Sequence, residues 1–230
     1  MHKAQTAILL FSRSLEAEFQ AKSFGLTKDR FRLLYNALSE RTRKTLGGVE
    51  APVFEFNSHQ QVGNVFGERL VNALKEVQNK GYQRVIVIGN DAPGLNPAIL
   101  NAAIERVDHG KNVLGRDAHG GCYLMGFDIS QVELRNFHQI QWHTSRVFDQ
   151  VNDLLLADTS LPLLIDLNTK EDLKTALLLK SSPYGYIIAL IKLVFILFLR
   201  ATPSRLNTRK ISLSTTLYRG PPAFAAIPLY

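Results

Sequence analysis

The segment Val85-Ile-Val-Ile-Gly-Asn-Asp91-Ala-Pro-Gly-Leu95 sets a carboxylate just beyond an unbroken apolar run. Such a run reads as a buried strand, and Gly89 before the acid lets a ligand or ion approach the backbone. An Asp91 oxygen suits a hard cation. It equally suits the cap of a turn before Pro93, a common use of Asp. A second segment, Val113-Leu-Gly115-Arg-Asp117-Ala-His119-Gly-Gly121-Cys-Tyr-Leu-Met-Gly126, carries the adjacent glycines Gly120 and Gly121 framed by Arg116, Asp117 and His119. A tight bend of that kind can turn N–H groups toward phosphate while keeping a carboxylate or an imidazole close. A plain hairpin turn accounts for the same glycines, and His119 alone reads as well as a polar turn residue. Cys122, beside apolar residues, reads as a small buried side chain rather than a nucleophile.

Elements must hold these segments in place, and their order is informative. Ala7–Phe11 and Arg84–Ile88 are compact apolar runs of the kind found in strands covered on both faces. Val53–Phe56, Asn112–Leu114, Cys122–Phe127 and Leu161–Ile165 are further strand candidates. Helical spacing of apolar residues marks Asp29–Arg41 and Gly67–Lys80. Asn96 followed by Pro97 opens a helix over Pro97–Val107, Ser145–Ala157 reads as another, and Thr169 with Asp172 forms a capping-box pattern before Leu173. Strands alternating with helices predict an α/β fold with a mostly parallel sheet flanked by helices. Ligands then gather beyond the carboxyl ends of the strands. Four places qualify: Ser12–Lys22, Gly89–Leu95, Gly115–Gly121 and Asp166–Thr169.

The chain has 230 residues, 46% hydrophobic and 20% charged, with a formal net charge of +7. Disordered and fibrous classes are excluded by that composition. A single cysteine excludes an intramolecular disulfide framework and Cys-rich zinc modules, and fits a reducing compartment. The apolar stretch from Thr6 to Ser12 is too short for a signal peptide and lacks a small-residue cleavage site, so it reads as the first strand.

Taken together, GNDAPGLNPAIL, VLGRDAHGGCYLMGF, IQWHTSRV and IDLNTKEDL, with GERLVNAL upstream, resemble the bacterial glycosyltransferase-like family called domain of unknown function 2064. The same family is also called radical-SAM/selenodomain-associated transferase family 1. The resemblance spans about residues 5–180. It implies a GT-A nucleotide-diphospho-sugar transferase fold over residues 1–180, a nucleotide-linked donor, and Mg²⁺ or Mn²⁺ as cofactor. Asp91 matches the acid of the family's strand end, together with Gly89 and Asn90, and is the implied metal ligand. Gly120 and Gly121 match the paired glycines that shape the substrate loop. Asp166 and Thr169 match the first acid and the threonine of an Asp-Ile-Asp-Thr segment. The implied catalytic set is therefore Asp91, Asp117, His119 and Asp166, and Gly89, Asn90, Gly120, Gly121, Asn168 and Thr169 would contact the donor.

The sequence departs from the pattern at three places. His119 stands where the family carries Asp, with Asp117 the candidate replacement two residues away. Asn168 stands where the second acid would be, keeping an oxygen and losing a charge. In the loop after the first strand, SRSLEAEFQAKSF, only Arg13 and Lys22 remain to grip phosphates. These departures support an alternative in which the chain keeps the fold as a binding or scaffold protein without turnover.

Residues 181–230 form a separate tail. They carry Lys192, Arg200, Arg205, Arg209, Lys210 and Arg219 with no acid, +6 of the total +7, so residues 1–180 are left at +1. Tyr184–Leu199 is apolar all round apart from Lys192, and a helix of that length spans about 24 Å, short of a roughly 30 Å hydrocarbon core. It must be covered by the body, by a second copy of the chain in a homodimer, or by a membrane. Basic residues directly behind an apolar run are placed to meet anionic headgroups on the cytoplasmic face, so residues 184–210 predict a cytoplasmic protein peripheral to the inner membrane surface. Aromatic–basic interleaving on a folded face is lacking, and nucleic acid is not an expected partner.

Overall fold

The computed structural model describes residues 6–22 and 24–178. The apolar and basic tail lies outside the described residues.

Two apolar runs form the middle of the sheet. Ala7–Phe11 (β1) is buried throughout and Arg84–Ile88 (β3) at every position but the first. Val53–Phe56 (β2) lies beside β1, while Val113–Arg116 (β4) and Cys122–Asp128 (β5) form a hairpin. The order across the sheet is β2-β1-β3-β5-β4. β1 pairs in parallel with β2 and β3, whereas β5 runs antiparallel to both β3 and β4. The sheet is therefore mixed, and the expectation of a mostly parallel one is corrected. Residues 117–121 alone connect β4 to β5, whereas a parallel crossover takes roughly a dozen or more residues, so β5 has to return beside β4.

Leu161–Ile165 is not a strand either. Among the described residues it contributes one bridge, Asp117 to Leu164, next to a second between Val113 and Asp158. Pro162 has no N–H to give a ladder, which keeps the segment irregular along β4.

Alternate residues of the central strands point to opposite faces. Ala7, Leu9, Val85 and Val87 pack on Phe66–Asn79 (α3) and Val147–Leu155 (α5) through Leu70, Leu74, Val77 and Val151. Ile8, Leu10, Ile86 and Ile88 pack on Pro97–Asp108 (α4) through Leu100, Ala103 and Val107. The start of α4 is as the sequence predicts, with the Asn96 side chain accepting from the Ile99 N–H at 3.2 Å. A third cluster joins Lys28–Leu46 (α2) to Lys170–Leu178 (α6) through Phe31, Leu34, Leu38, Leu167 and Leu173. Leu15–Lys22 (α1) leans on this cluster with Leu15 and Phe19. The stretch after β1 is thus largely helical where the sequence reading expects a loop, and that difference decides the geometry of the site.

Candidate active site

The ends of β1 and β3, the β4–β5 turn and the segment before α6 enclose a cavity of about 520 Å³. Its lining includes Arg13, Lys22, Gly89, Asn90, Asp91, Asp117, His119, Gly121, Asp166, Asn168 and Thr169. All the candidate site residues except Gly120 therefore meet in one place. Residues more than 140 apart in sequence do so because parallel strands deliver their carboxyl ends to a single edge of the sheet.

Lys22 is the centre of one wall. Its Nζ lies 2.7 Å from Glu18 Oε1, 2.8 Å from Asp91 Oδ2 and 3.0 Å from Asn168 Oδ1. Glu18 and Lys22 stand one turn apart on α1, the spacing that brings an acid and a base together on a helix surface. Glu18 also accepts from Arg13 Nη1 at 3.3 Å, so a single carboxylate serves both bases. A side chain on Gly89 would run into Asp91 Oδ1, 2.7 Å from the position of its Cβ, so glycine there lets the Asp91 carboxylate fold toward Lys22. Burial acts to raise the Asp91 pKa, and the Lys22 ammonium outweighs it and holds the carboxyl below its ordinary value. Asn90 turns away to α2, donating to Ser39 Oγ at 3.3 Å.

Asp166 behaves differently. It is 6% exposed, and its Oδ1 is buried without a hydrogen-bond partner among the described residues. Burial, then the nearby charges of Asp91 and Asp117, push its pKa well above the usual carboxylate value. Asp117 has mainly a structural task, since its Oδ1 accepts from the N–H groups of His119 at 2.6 Å and Gly121 at 2.8 Å. The Gly120–Gly121 bend is thereby closed by its own acid. A Cβ on Gly121 would collide with that carboxylate, and Gly120, at φ 84°, would collide with the Ser145 carbonyl.

His119 points at α6. Its Nε2 lies 2.6 Å from Asp172 Oδ1, while Asp172 Oδ2 accepts from the N–H groups of Asn168 and Thr169 at 2.9 and 2.6 Å. Burial raises the Asp172 pKa, and the hydrogen bonds from Thr169, Asn168 and His119 more than reverse it. His119 thus fixes the position of Asn168, and through it the seat of Lys22. Cys122 is half-buried, packing on the core while lining the cavity, and burial with the charges of Asp117 and Asp166 pushes its thiol up to about 12, away from the thiolate form. The Arg116 guanidinium covers the Phe148 ring at 4.9 Å.

Three residues given no site role by the sequence, Glu18, Arg69 and His143, belong to this cavity, and Asp172, expected only as a capping residue, supports it. Arg69, in the first turn of α3, lines the cavity and has a buried Nε with no partner among the described residues. His143 lines it too, with φ 65°, and its pKa is lowered by burial and by the positive charges of Arg13, Arg69 and Lys22. Arg13, Arg69 and Lys22 thus all act on His143 within the same cavity that the acids line. Trp142 beside it is a packing residue, its Nε1 donating to the Phe137 carbonyl at 2.9 Å and its ring 4.6 Å from that of Phe66. The helical offset of Glu18 from Lys22 was a readable signal, whereas Arg69 and His143 come together only through tertiary folding.

The Mg²⁺ or Mn²⁺ that the resemblance implies at Asp91 does not fit this arrangement. Mg²⁺ takes near-octahedral oxygens at about 2.0–2.1 Å. Here the oxygens converge on an ammonium nitrogen at hydrogen-bond lengths. Among the described residues no group of three His, Cys, Asp or Glu side chains is arranged to hold a metal ion.

Comparison with known proteins bears on the same region. Residues 30–144 match the family model described as "Uncharacterized protein conserved in bacteria (DUF2064)". The "putative nucleotide-diphospho-sugar transferase" of Desulfovibrio desulfuricans G20 superposes with a TM-score of 0.68 at 20% identity, covering 84% of this chain and 99% of the other. That likeness shows the fold alone, α/β with a mixed sheet. Rv0371c of Mycobacterium tuberculosis gives a TM-score of 0.43 at 14% identity, over 77% of this chain and 99% of its own. No curated protein matches the chain.

Proposed function

The chain belongs to the bacterial DUF2064 family, and we propose that it is a transferase acting on a nucleotide-linked donor, of the glycosyl- or nucleotidyltransferase kind. The observation that carries this reading is the cavity lining, which brings the bases Arg13, Lys22 and Arg69 and the imidazole of His143 together with the acids Glu18, Asp91, Asp117 and Asp166. A nucleoside diphosphate joined to a sugar has groups for both, anionic at one end and rich in hydroxyl groups at the other. Its phosphates lie among Arg13, Lys22 and Arg69, where the Arg69 Nε supplies a donor. The transferred group faces the acids. As an acceptor hydroxyl attacks the donor, its proton passes to Asp166 in the ionised form of that carboxyl, which burial and the charges of Asp91 and Asp117 make avid for a proton. Arg13 and Arg69 meet the departing phosphate. Asp91, held ionised by Lys22, orients the reacting group, and Asp117 and His119 hold the loops that carry these residues. A divalent ion seated on Asp91 Oδ2 would have to displace Lys22. The motifs GNDAPGLNPAIL and VLGRDAHGGCYLMGF support the finer reading that it is a radical-SAM/selenodomain-associated transferase of family 1. The basic tail seats it on the cytoplasmic face of the membrane.

A second reading, binding without turnover, is favoured by Asn168, which offers no charge at its position. One set of measurements separates the two. Thermal denaturation of the full chain with a panel of nucleoside diphosphates and sugar nucleotides should show stabilisation of about 2.7 kcal/mol at a concentration a hundred times Kd. Arg69→Ala should weaken binding by roughly ten- to a hundredfold, as loss of a charge-assisted hydrogen bond does. The His143 pKa, followed by its ring proton resonance, should rise when the phosphate arrives, because an anion reverses the field that lowers it. Binding without consumption of any donor would favour the second reading. Failure of every nucleotide to bind would refute the transferase reading and favour a scaffold whose partner is a protein or a lipid.

A further inference from the structure

Lys22 is an unusual resident of an acidic wall. Its side chain is only 9% exposed, and each of its three N–H bonds has an oxygen partner. Those oxygens come from three separate parts of the fold: Glu18 on α1, Asp91 after β3 and Asn168 before α6. The distances of 2.7, 2.8 and 3.0 Å are those of N–H to oxygen contacts. The local charge is also closed, with Arg13 and Lys22 balancing Glu18 and Asp91. Asn168 adds an oxygen without adding charge, which suits a monovalent guest.

We propose that Lys22 is the resident cation of this site, occupying the position at Asp91 that a divalent metal would need, and that donor phosphate binds beside it without Mg²⁺ or Mn²⁺. The ammonium cancels the Asp91 charge, so an anionic phosphate can approach a carboxylate that would otherwise repel it. Asn168, the longest and only uncharged of the three contacts, is the partner that a phosphate oxygen displaces. The phosphate contact presupposes the nucleotide-linked donor, whereas the exclusion of a metal ion rests on Lys22 and its oxygens alone.

Mn²⁺ by itself is the probe. Titrated into the full chain and followed by the loss of its free electron-paramagnetic-resonance signal, it should bind the wild type weakly. Lys22→Met, which keeps most of the side-chain volume, and Lys22→Ala both free Glu18 and Asp91 and should tighten Mn²⁺ binding at least about tenfold, the effect of removing a positive charge in contact with the ligands. Adding Asp91→Asn to either variant should abolish the gain, and Lys22→Arg should remain closed. Tight Mn²⁺ binding by the wild type that Asp91→Asn destroys overturns the proposal, and so does the absence of any gain in a folded Lys22→Met. Affinity for UDP and GDP should be the same in EDTA as in MnCl₂, and a metal requirement of about tenfold or more in the wild type overturns the proposal as well. If neither nucleotide binds, the phosphate contact is refuted together with the donor reading for these nucleotides, while the Mn²⁺ results decide the cation assignment independently.

Discussion

Asp166 shares its buried corner with the charges of Asp91 and Asp117, and its folded pKa lies well above the ordinary carboxylate value. The native state therefore holds this proton more tightly than the unfolded chain does. For this group, stability is highest below the unfolded pKa and is lost as pH rises from there through the folded pKa. Asp91 works the other way, since its folded pKa is lowered and its contribution is lost as pH falls through that lowered value. Comparison with Asp166→Asn isolates the first effect, because the amide cannot ionise. The variant should match the wild type near pH 4 and exceed its stability at pH 8 by about 1–3 kcal/mol, the range for an unsatisfied buried polar group. Urea denaturation at the two pH values measures the difference. If Asp166 is the proton acceptor in transfer, the same variant should lose turnover while keeping nucleotide affinity.

At the scale of elements, the β4–β5 turn shows how a bend becomes part of a site. Asp117 closes it by accepting two backbone N–H groups, and Gly120 approaches the start of α5, its carbonyl accepting from the Phe148 N–H at 2.8 Å. Gly120→Ala places a Cβ against the Ser145 carbonyl at a φ of 84°, where L side chains are strained. It should cost about 1–3 kcal/mol, seen as a lower Tm, and should weaken nucleotide binding by shifting Asp117 and His119. These glycines were legible in the sequence because a tight bend leaves a compositional mark. So were β1 and β3, whose apolar runs have no other use, and the capping residues Asn96 and Thr169. Three things were not legible. α1 carries few apolar residues, and one of its buried positions is the acid Glu18, so periodicity could not reveal it. The strand reading of Leu161–Ile165 took apolar residues as sufficient and gave Pro162 too little weight. The direction of β5 was implicit in the short link after β4, yet the alternation of strands and helices favoured the parallel reading. Because α1 was missed, Lys22 was read as a remnant of a phosphate loop rather than as the partner of Asp91.

For the whole molecule, the sum of charges misleads until it is divided. Residues 1–180 carry a net +1, and inside them the cavity gathers the bases Arg13, Lys22 and Arg69 and the acids Glu18, Asp91, Asp117 and Asp166. Selectivity for the proposed anionic donor would therefore come from local arrangement rather than from an overall basic field. The remaining +6 lies in residues 181–230, where it directly follows a run of apolar residues. Among the described residues no helix is long and apolar enough to cross a membrane. A helix over Tyr184–Leu199 would span about 24 Å, short of a roughly 30 Å hydrocarbon core, so attachment through the tail would be interfacial, combining buried apolar side chains with attraction to anionic lipids. Each base near an anionic surface is worth about 1 kcal/mol, so changing Arg200, Arg205, Arg209 and Lys210 together to Gln should remove roughly 4 kcal/mol, a loss of several hundredfold in partitioning. The full chain should sediment with vesicles containing phosphatidylglycerol and much less with phosphatidylcholine alone, and added salt should release it as the Debye length shortens. The fourfold Gln variant should remain in the supernatant while binding nucleotide as the wild type does, since the residues proposed to hold the donor, Arg13, Lys22 and Arg69, all lie in the α/β body. If the wild type instead stays in the supernatant as a dimer that the Gln changes leave intact, the apolar run is covered by a second copy of the chain and the membrane reading fails.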